Sequence, residues 1–204
     1  GGGGSGGRVL VPRDRGDGDY AVRARAWGGK SHSAGPTCTN GAAGTVFYSV
    51  ISSNAGTGIF EYSRLHISHD PARGFTSSAS TLIASDAQPE ESIGEIRVER
   101  GAALQLEAIL ANTRIFTVDK QFVWDTNAVL QIAPEVSVWA GDMQVLTSSS
   151  IFGYGRAAQM RQPTVRLNVS SLYVTAQSDI SNLLELVVRG AARVEGPLSS
   201  PDRM

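Results

Sequence analysis

The strongest constraint on the fold of this 204-residue chain is a rhythm of short apolar clusters over residues 95–196. Turn formers such as Arg100-Gly101 and Asp125-Thr126-Asn127 separate the clusters, and the rhythm resumes near Val165 after an irregular stretch. Short strands every ~7–10 residues are typical of a β-sandwich, a β-barrel or a β-solenoid. The rhythm therefore predicts an all-β protein. The clusters begin at residues 96, 104, 115, 122, 129, 136 and 143.

The spacing of the clusters favours the solenoid. Three strands of ~7 residues make a coil of ~20 residues, and Ile96, Phe116 and Val136 stand 20 residues apart. A sandwich would favour hairpins with Asn-Gly or Asp-Gly turns, but these dipeptides occur only at residues 17–18 and 40–41, outside the rhythmic half. We therefore predict a right-handed parallel β-helix (β-solenoid) with glycine-rich coils at its N-terminal end. In this half of the chain, a helical interpretation is compatible with the spacing only at Ile180 to Arg189.

The chain divides into four segments along one continuous solenoid. Residues 1–55 are expected to form glycine-rich β-helix coils, and residues 56–95 an irregular connecting segment. Residues 96–196 would form the remaining coils, and residues 197–204 a loop tail. The lack of an initiator Met and the polar finish lead us to expect a fragment or a processed piece of a longer protein.

Composition excludes several classes of function. Charged residues make up 18% of the chain, and 18 basic residues face 19 acidic ones. This balance argues against a nucleic-acid partner and against a polybasic membrane-surface patch. No apolar run approaches the ~18 residues that a membrane-spanning helix needs. The single cysteine, Cys38, excludes an internal disulfide framework and a cysteine-based zinc site.

Two glycine-rich elements carry a resemblance to a known family. Residues 2–9 read GGGSGGRV, Gly28-Gly29 follows a strand pattern, and Gly41-Ala-Ala-Gly-Thr45 comes shortly after Cys38. This order over about residues 1–50 resembles the very large glycine-rich, parallel β-helix cell-surface proteins of plants and green algae. The resemblance implies a β-helix fold and an extracellular or cell-surface location, and it implies no reaction.

Two short motifs are candidate interaction or modification sites. Asn168-Val169-Ser170 is an N-glycosylation sequon, and the alternation of its strand places Asn168 on the face opposite the apolar residues. The sequon is either occupied or a chance match. Arg15-Gly16-Asp17 spells an adhesion tripeptide, although a polar hairpin corner explains it more simply.

The acidic and histidine residues predict no metal site. Asp14, Asp17 and Asp19 crowd one turn, but the spacing and closing Glu of an EF-hand are missing, so a solvated turn is the simpler interpretation. His66 and His69 are three apart, which places them on opposite faces of a strand. His32 is remote in sequence, so a shared site is not expected.

No constellation in the sequence predicts catalysis or a cofactor. Asp119-Lys120 and Glu90-Glu91 are adjacent pairs, and neighbours on a strand point apart rather than forming a dyad. The three tryptophans would suit stacking on sugars, but each lies among alternating apolar residues, which favours core or semi-buried packing. They are Trp27, Trp124 and Trp139.

The leading hypothesis is therefore a structural, non-catalytic segment of an extracellular or cell-surface glycoprotein, used as a spacer or fibre-forming element. The alternative is a β-helix carbohydrate-active enzyme, a lyase or hydrolase acting on acidic polysaccharide. A third hypothesis is an adhesive ligand that presents the Arg15-Gly16-Asp17 tripeptide. Because neither end of the predicted solenoid offers a cap, the first hypothesis expects the ends to be covered by neighbouring coils of a longer chain or by further copies of this one.

Overall fold

The computed structural model describes ten ranges of the chain, and every structural statement below concerns these residues. They are residues 6–14, 26–29, 41–54, 58–69, 80–84, 93–107, 114–134, 136–153, 165–183 and 185–199.

The described residues form fifteen strands and no helix, so the all-β prediction is confirmed. Short β-branched and apolar runs bounded by turn formers account for this class. The strands are Arg8–Asp14 (β1), Thr45–Asn54 (β2), Gly58–Ser68 (β3), Thr81–Ala84 (β4), Ile93–Glu99 (β5), Ala103–Glu107 (β6), Arg114–Asp125 (β7), Val129–Ile132 (β8), Val136–Val145 (β9), Ser150–Gly153 (β10), Arg166–Val174 (β11), Asp179–Ser181 (β12), Glu185–Val188 (β13), Ala192–Val194 (β14) and Leu198–Ser199 (β15).

These strands make two sheets. The larger sheet has nine strands in the order β1-β2-β3-β5-β7-β9-β11-β13, with β14 also paired to β11. The smaller sheet has six strands in the order β15-β12-β10-β8-β6-β4. From β3 to β13 the chain alternates between the sheets, so strands that pair within one sheet are separated by a crossover, as parallel pairing requires.

The hydrophobic core joins side chains from both sheets. Along β9 and β11 most buried residues alternate with more exposed ones, apart from a slip of one residue within each strand, so one face of each strand packs inward and the other faces solvent. Phe122 and Trp124 on β7 are fully buried, and their rings stack with centroids 4.0 Å apart. Leu130 and Ile132 on β8 of the smaller sheet belong to the same cluster.

The predicted parallel β-helix is wrong, because β2 and β3 pair antiparallel. Their register runs from Thr45 opposite Ile67 to Asn54 opposite Gly58. Only three residues separate these strands in sequence, and a connection that short permits a hairpin but not a parallel crossover. Strands β1 and β2 therefore run opposite to the rest of the larger sheet, in place of glycine-rich parallel coils.

The expected 20-residue coil is wrong as well. Ile96 lies opposite Phe122, Phe122 opposite Met143, and Met143 opposite Leu172. These partners are 26, 21 and 29 residues apart in sequence, so successive passes along the chain have unequal lengths. The register also shifts by one residue between Val118 and Gln121 of β7, so the spacing of partners is not constant even along one strand.

Two segments near the C-terminus differ from what their sequence suggests. The stretch from Ile180 to Arg189, whose spacing is compatible with a helix, instead contains β12 and β13, and Asn182 between them has a positive φ of 54°. Such a backbone conformation interrupts a right-handed helix. Leu198–Ser199, inside the expected loop tail, pairs with β12 as β15.

The two glycine-rich elements of the sequence come together in what we call the glycine layer, residues 6–7, 26–29 and 41–44. The Gly6 amide donates to the Ala42 carbonyl at 2.9 Å, and the Gly41 amide donates to the Gly29 carbonyl at 2.9 Å. A Cβ on Gly44 would overlap the carbonyl oxygens of Gly7 and Ala26. Glycine is needed here for close backbone approach.

Candidate functional site

The outer face of the larger sheet brings together polar and aromatic side chains from β7, β9, β11 and β13. Parallel pairing places Thr117, Trp139, Asn168 and Val187 side by side, one on each strand. Neighbouring strands lie ~4.7–4.9 Å apart, so these four residues form one continuous row across the sheet. We call it the Trp139 row.

Trp139 is the large side chain that most distinguishes this row. Its neighbours Val138 and Ala140 are buried in the core, whereas 41% of Trp139 is exposed. The Arg189 guanidinium lies over its ring, 5.3 Å from the centroid, in a cation–π arrangement. Trp124 is a core residue, whereas Trp139 packs with only part of its surface buried, on the outer face.

Asn168 lies on the outward face, half-buried between Trp139 and Val187. Its neighbours Leu167 and Val169 are fully buried, so strand alternation points the asparagine away from the core. The sequon therefore has the orientation that its alternation predicts. Its occupancy stays a prediction.

A second aromatic side chain lies farther along the same face. Tyr173 on β11 is paired with Arg193 on β14, whose guanidinium lies 5.6 Å from the centroid of the tyrosine ring. Arg193 also forms an ion pair with Glu195 at 2.6 Å. Arg166 and Glu185 form a more open pair at 3.4 Å across β11 and β13. This face presents two arginine–aromatic pairs together with ion pairs exposed to solvent.

An ionic cluster occupies the outer face where β3 meets β5. Arg64 pairs with Glu95 at 2.8 Å, and His66 Nε2 lies 2.8 Å from Glu99 Oε1. The hydrogen bond from His66 is the largest cause that lowers the pKa of Glu99. Burial of Glu99 opposes that shift, and nearby positive charges, first that of His66, add to it. The arrangement ties the antiparallel hairpin to the parallel strands.

The two neighbouring histidines separate as the sequence predicts. His66 lies in β3 on the outward face, and His69, which follows the strand, is completely buried. Burial lowers the pKa of His69, because a charged imidazole is disfavoured away from water. Within the described ranges, no group of three or more His, Cys, Asp or Glu residues is arranged to hold a metal ion.

Several predicted sites lie outside the described residues. They include the tripeptide Arg15-Gly16-Asp17, as well as Asp19, His32, Cys38 and the Glu90-Glu91 pair. Asp14 ends β1. The described part of the chain contains no helix with the length and apolar character that a membrane crossing requires.

The C-terminal edge, which we define as β13, β14 and β15, exposes apolar side chains. In the described part, β13 and β14 pair only with β11, and β15 pairs only with β12. Val194 is 37% exposed and Leu198 is 50% exposed. Leu186 and Val188 pack partly buried against the core. Among the described strands, both sheets therefore end here, and the outer backbone groups of these strands pair with no further described strand beside the apolar side chains.

The opposite end of the molecule also exposes two leucines. Leu10 on β1 is 69% exposed, and Leu82 on β4 is 49% exposed. The Thr81 hydroxyl donates a hydrogen bond to the Ala43 carbonyl, so the glycine layer lies against β4. Sequence reasoning missed these exposed leucines because edge position depends on strand order.

Comparison of the chain with models of known protein families, with curated proteins and with solved structures found no match. The resemblance to glycine-rich cell-surface proteins therefore remains an expectation from the sequence.

Proposed function

We propose that this chain is a structural, non-catalytic element of an extracellular or cell-surface glycoprotein, and that it assembles with further copies through its sheet edges. The observation that carries the proposal is the C-terminal edge, where both sheets end beside exposed Val194 and Leu198. Unpaired strand edges are templates for pairing with another chain. The outward orientation of Asn168 supports the glycoprotein part of the proposal.

The direction of the strands defines how copies would join. At one end of the larger sheet lies β1, which runs opposite to β13 and β14 at the other end. In a head-to-tail contact, β1 of one copy would pair antiparallel with the C-terminal edge of the next. Such a heterologous contact leaves one free end of each kind on a growing assembly, so further copies can add. The assembly is a fibre unless the rotation between successive copies closes it into a ring.

Sedimentation velocity over a range of concentrations tests this proposal. We expect the wild type to form concentration-dependent oligomers. A buried charge opposes pairing, so Val194→Asp at one end and Leu10→Asp at the other should each reduce assembly. Mixing the two variants should restore dimers, because each retains the end that the other has lost. A wild type that stays monomeric at all concentrations would contradict assembly.

The enzymatic alternative is tested separately on acidic polysaccharides. Incubation with polymers of uronic acids, followed by measurement of reducing ends and of unsaturated products, should show no turnover. Turnover that disappears when one carboxylate, such as Glu95 or Asp142, is replaced by its amide would contradict the non-catalytic proposal.

A further inference from the structure

The sequon and the exposed tryptophan are direct neighbours on the outer face, although 29 residues separate them in sequence. Asn168 of β11 lies opposite Trp139 of β9 in the register of the parallel pair. Both side chains face away from the core, because the residues flanking each of them are buried. A group attached to the Asn168 amide would therefore begin beside the indole ring.

The Asn168 side chain is available for attachment. Its flanking residues Leu167 and Val169 hold the strand in the core, and none of the hydrogen bonds within the described ranges engages the Asn168 side chain. Its other register neighbour, Val187, is a half-buried aliphatic residue that offers no competing polar partner.

We propose that Asn168 carries an N-linked glycan whose first sugar packs on the ring of Trp139, an inference that rests on the extracellular part of the proposed function. In the transfer, the Asn168 Nδ2 atom bonds to C1 of an oligosaccharide carried on a lipid diphosphate. The C1–O bond to the diphosphate breaks, the lipid diphosphate leaves with the electron pair, and the amide loses one proton. A glycosylating enzyme of the secretory pathway supplies the donor.

The chemistry of a sugar ring suits this neighbour. The C–H groups on one face of a pyranose are weakly positive, and the face of an indole ring is negative. The Arg189 guanidinium lies 5.3 Å from the centroid of the Trp139 ring, the arrangement that a cation adopts over the negative face of an aromatic ring. In the glycosylated protein the sugar replaces Arg189 over part of the ring, and the guanidinium is free to donate to sugar hydroxyls.

Tyr173 provides a matched control on the same face. It also has an arginine over its ring, at 5.6 Å, but its register neighbours are Gln144 and Arg193. A glycan on Asn168 should therefore depend on Trp139 and not on Tyr173.

The first measurement is of attachment. The chain is fused to a secretion signal and produced in a eukaryotic host, and the secreted protein is examined by intact mass and glycopeptide mapping. We expect one glycan at Asn168, lost in Asn168→Gln and in Ser170→Ala. A secreted, folded protein without a glycan at Asn168 would overturn the modification site.

The second measurement is of packing. Enzymatic trimming to one N-acetylglucosamine gives a defined probe, and its melting temperature is compared with that of Asn168→Gln. We expect the sugar to raise the melting temperature by about 2–4 °C, which is the shift that a single weakly stabilising contact causes in a chain of this size. The shift should vanish in Trp139→Ala, persist in Tyr173→Ala and be partly retained in Trp139→Phe.

An equal shift with and without the Trp139 ring would overturn the packing. Because edge assembly is measured by sedimentation of protein made without glycosylation, failure of the glycan proposal and failure of assembly give separate results.

Discussion

In the glycine layer, segments of the chain contact each other backbone to backbone, whereas between β9 and β15 they meet through alternating side chains. Gly44 has no room for a Cβ because the carbonyl oxygens of Gly7 and Ala26 lie there. In β9 and β11, by contrast, buried Val138 and Leu167 pack the core while Trp139 faces outward. One region therefore depends on the absence of side chains and the other on their pattern.

The strand direction differs between the two regions as well. The antiparallel hairpin of β2 and β3 reverses the larger sheet next to the glycine layer, and the strands from β3 onward are parallel. Parallel pairing continues to the C-terminal edge, which has no reversal within the described strands. The two ends therefore present different surfaces, which is the asymmetry that head-to-tail assembly requires.

The largest expected effect concerns the core that alternating side chains build. Trp124→Ala removes a fully buried ring that stacks on Phe122, and we expect it to lower the free energy of unfolding by about 3–5 kcal/mol. The measurement is urea unfolding followed by far-ultraviolet circular dichroism. Trp139→Ala is the control, with an expected loss of at most about 1 kcal/mol. Equal losses for the two variants would contradict their opposite orientations.

A smaller effect is expected in the glycine layer. Gly44→Ala places a methyl group against two carbonyl oxygens, and forcing the segments apart should cost about 1–3 kcal/mol of unfolding free energy. Gly7→Ala is the matched control, because no atom lies within 4 Å of the position that its methyl group would occupy, and its effect should stay within about 0.5 kcal/mol. If both variants are equally stable, close backbone contact does not hold this layer together.

The smallest effect concerns the junction between the two regions. Because His66 lowers the pKa of Glu99 below 4.5, the unfolded chain takes up a proton first as the pH falls. The stabilisation is complete well above the ordinary pKa of a glutamate and is lost as the pH falls through the lower pKa of Glu99 in the folded state. Urea unfolding between about pH 3 and 7 should show a shallower acid decline in Glu99→Gln than in the wild type. His66→Gln should make the acid decline in stability shallower over the same pH range. If both variants lose stability as steeply as the wild type, the coupling between His66 and Glu99 is contradicted.

Part of the outer face was within reach of sequence reasoning. The alternation that buries Val136 and Val138 places Trp139 on the opposite face, as it does for Asn168 between Leu167 and Val169. The prediction for the tryptophans follows the apolar character of the neighbours rather than the period of two, so it does not say which face of the sheet Trp139 occupies. The adjacency of Trp139 and Asn168 follows from the register of β9 and β11. No local sequence pattern encodes that register.

The division of the rhythm into strands was only partly predictable. The rhythm predicts separate strands for the clusters that begin at residues 136 and 143, yet both clusters lie in β9. The buried apolar residues Val136, Val138 and Ala140 occupy alternate positions, and the pattern then slips by one residue, so Met143 and Val145 are buried again. The residues at this slip, Ala140-Gly141-Asp142, have the composition of a turn, although the strand continues through them.

Local sequence was sufficient for the all-β class and for the inward and outward faces of strands such as β11. These properties follow from the side-chain period, which is local. The two-sheet arrangement, the reversal at β2 and β3, and the meeting of the glycine segments became visible only in the folded chain. They depend on which distant strands pair and in what register, and that choice is made by burying one shared core rather than by any single segment.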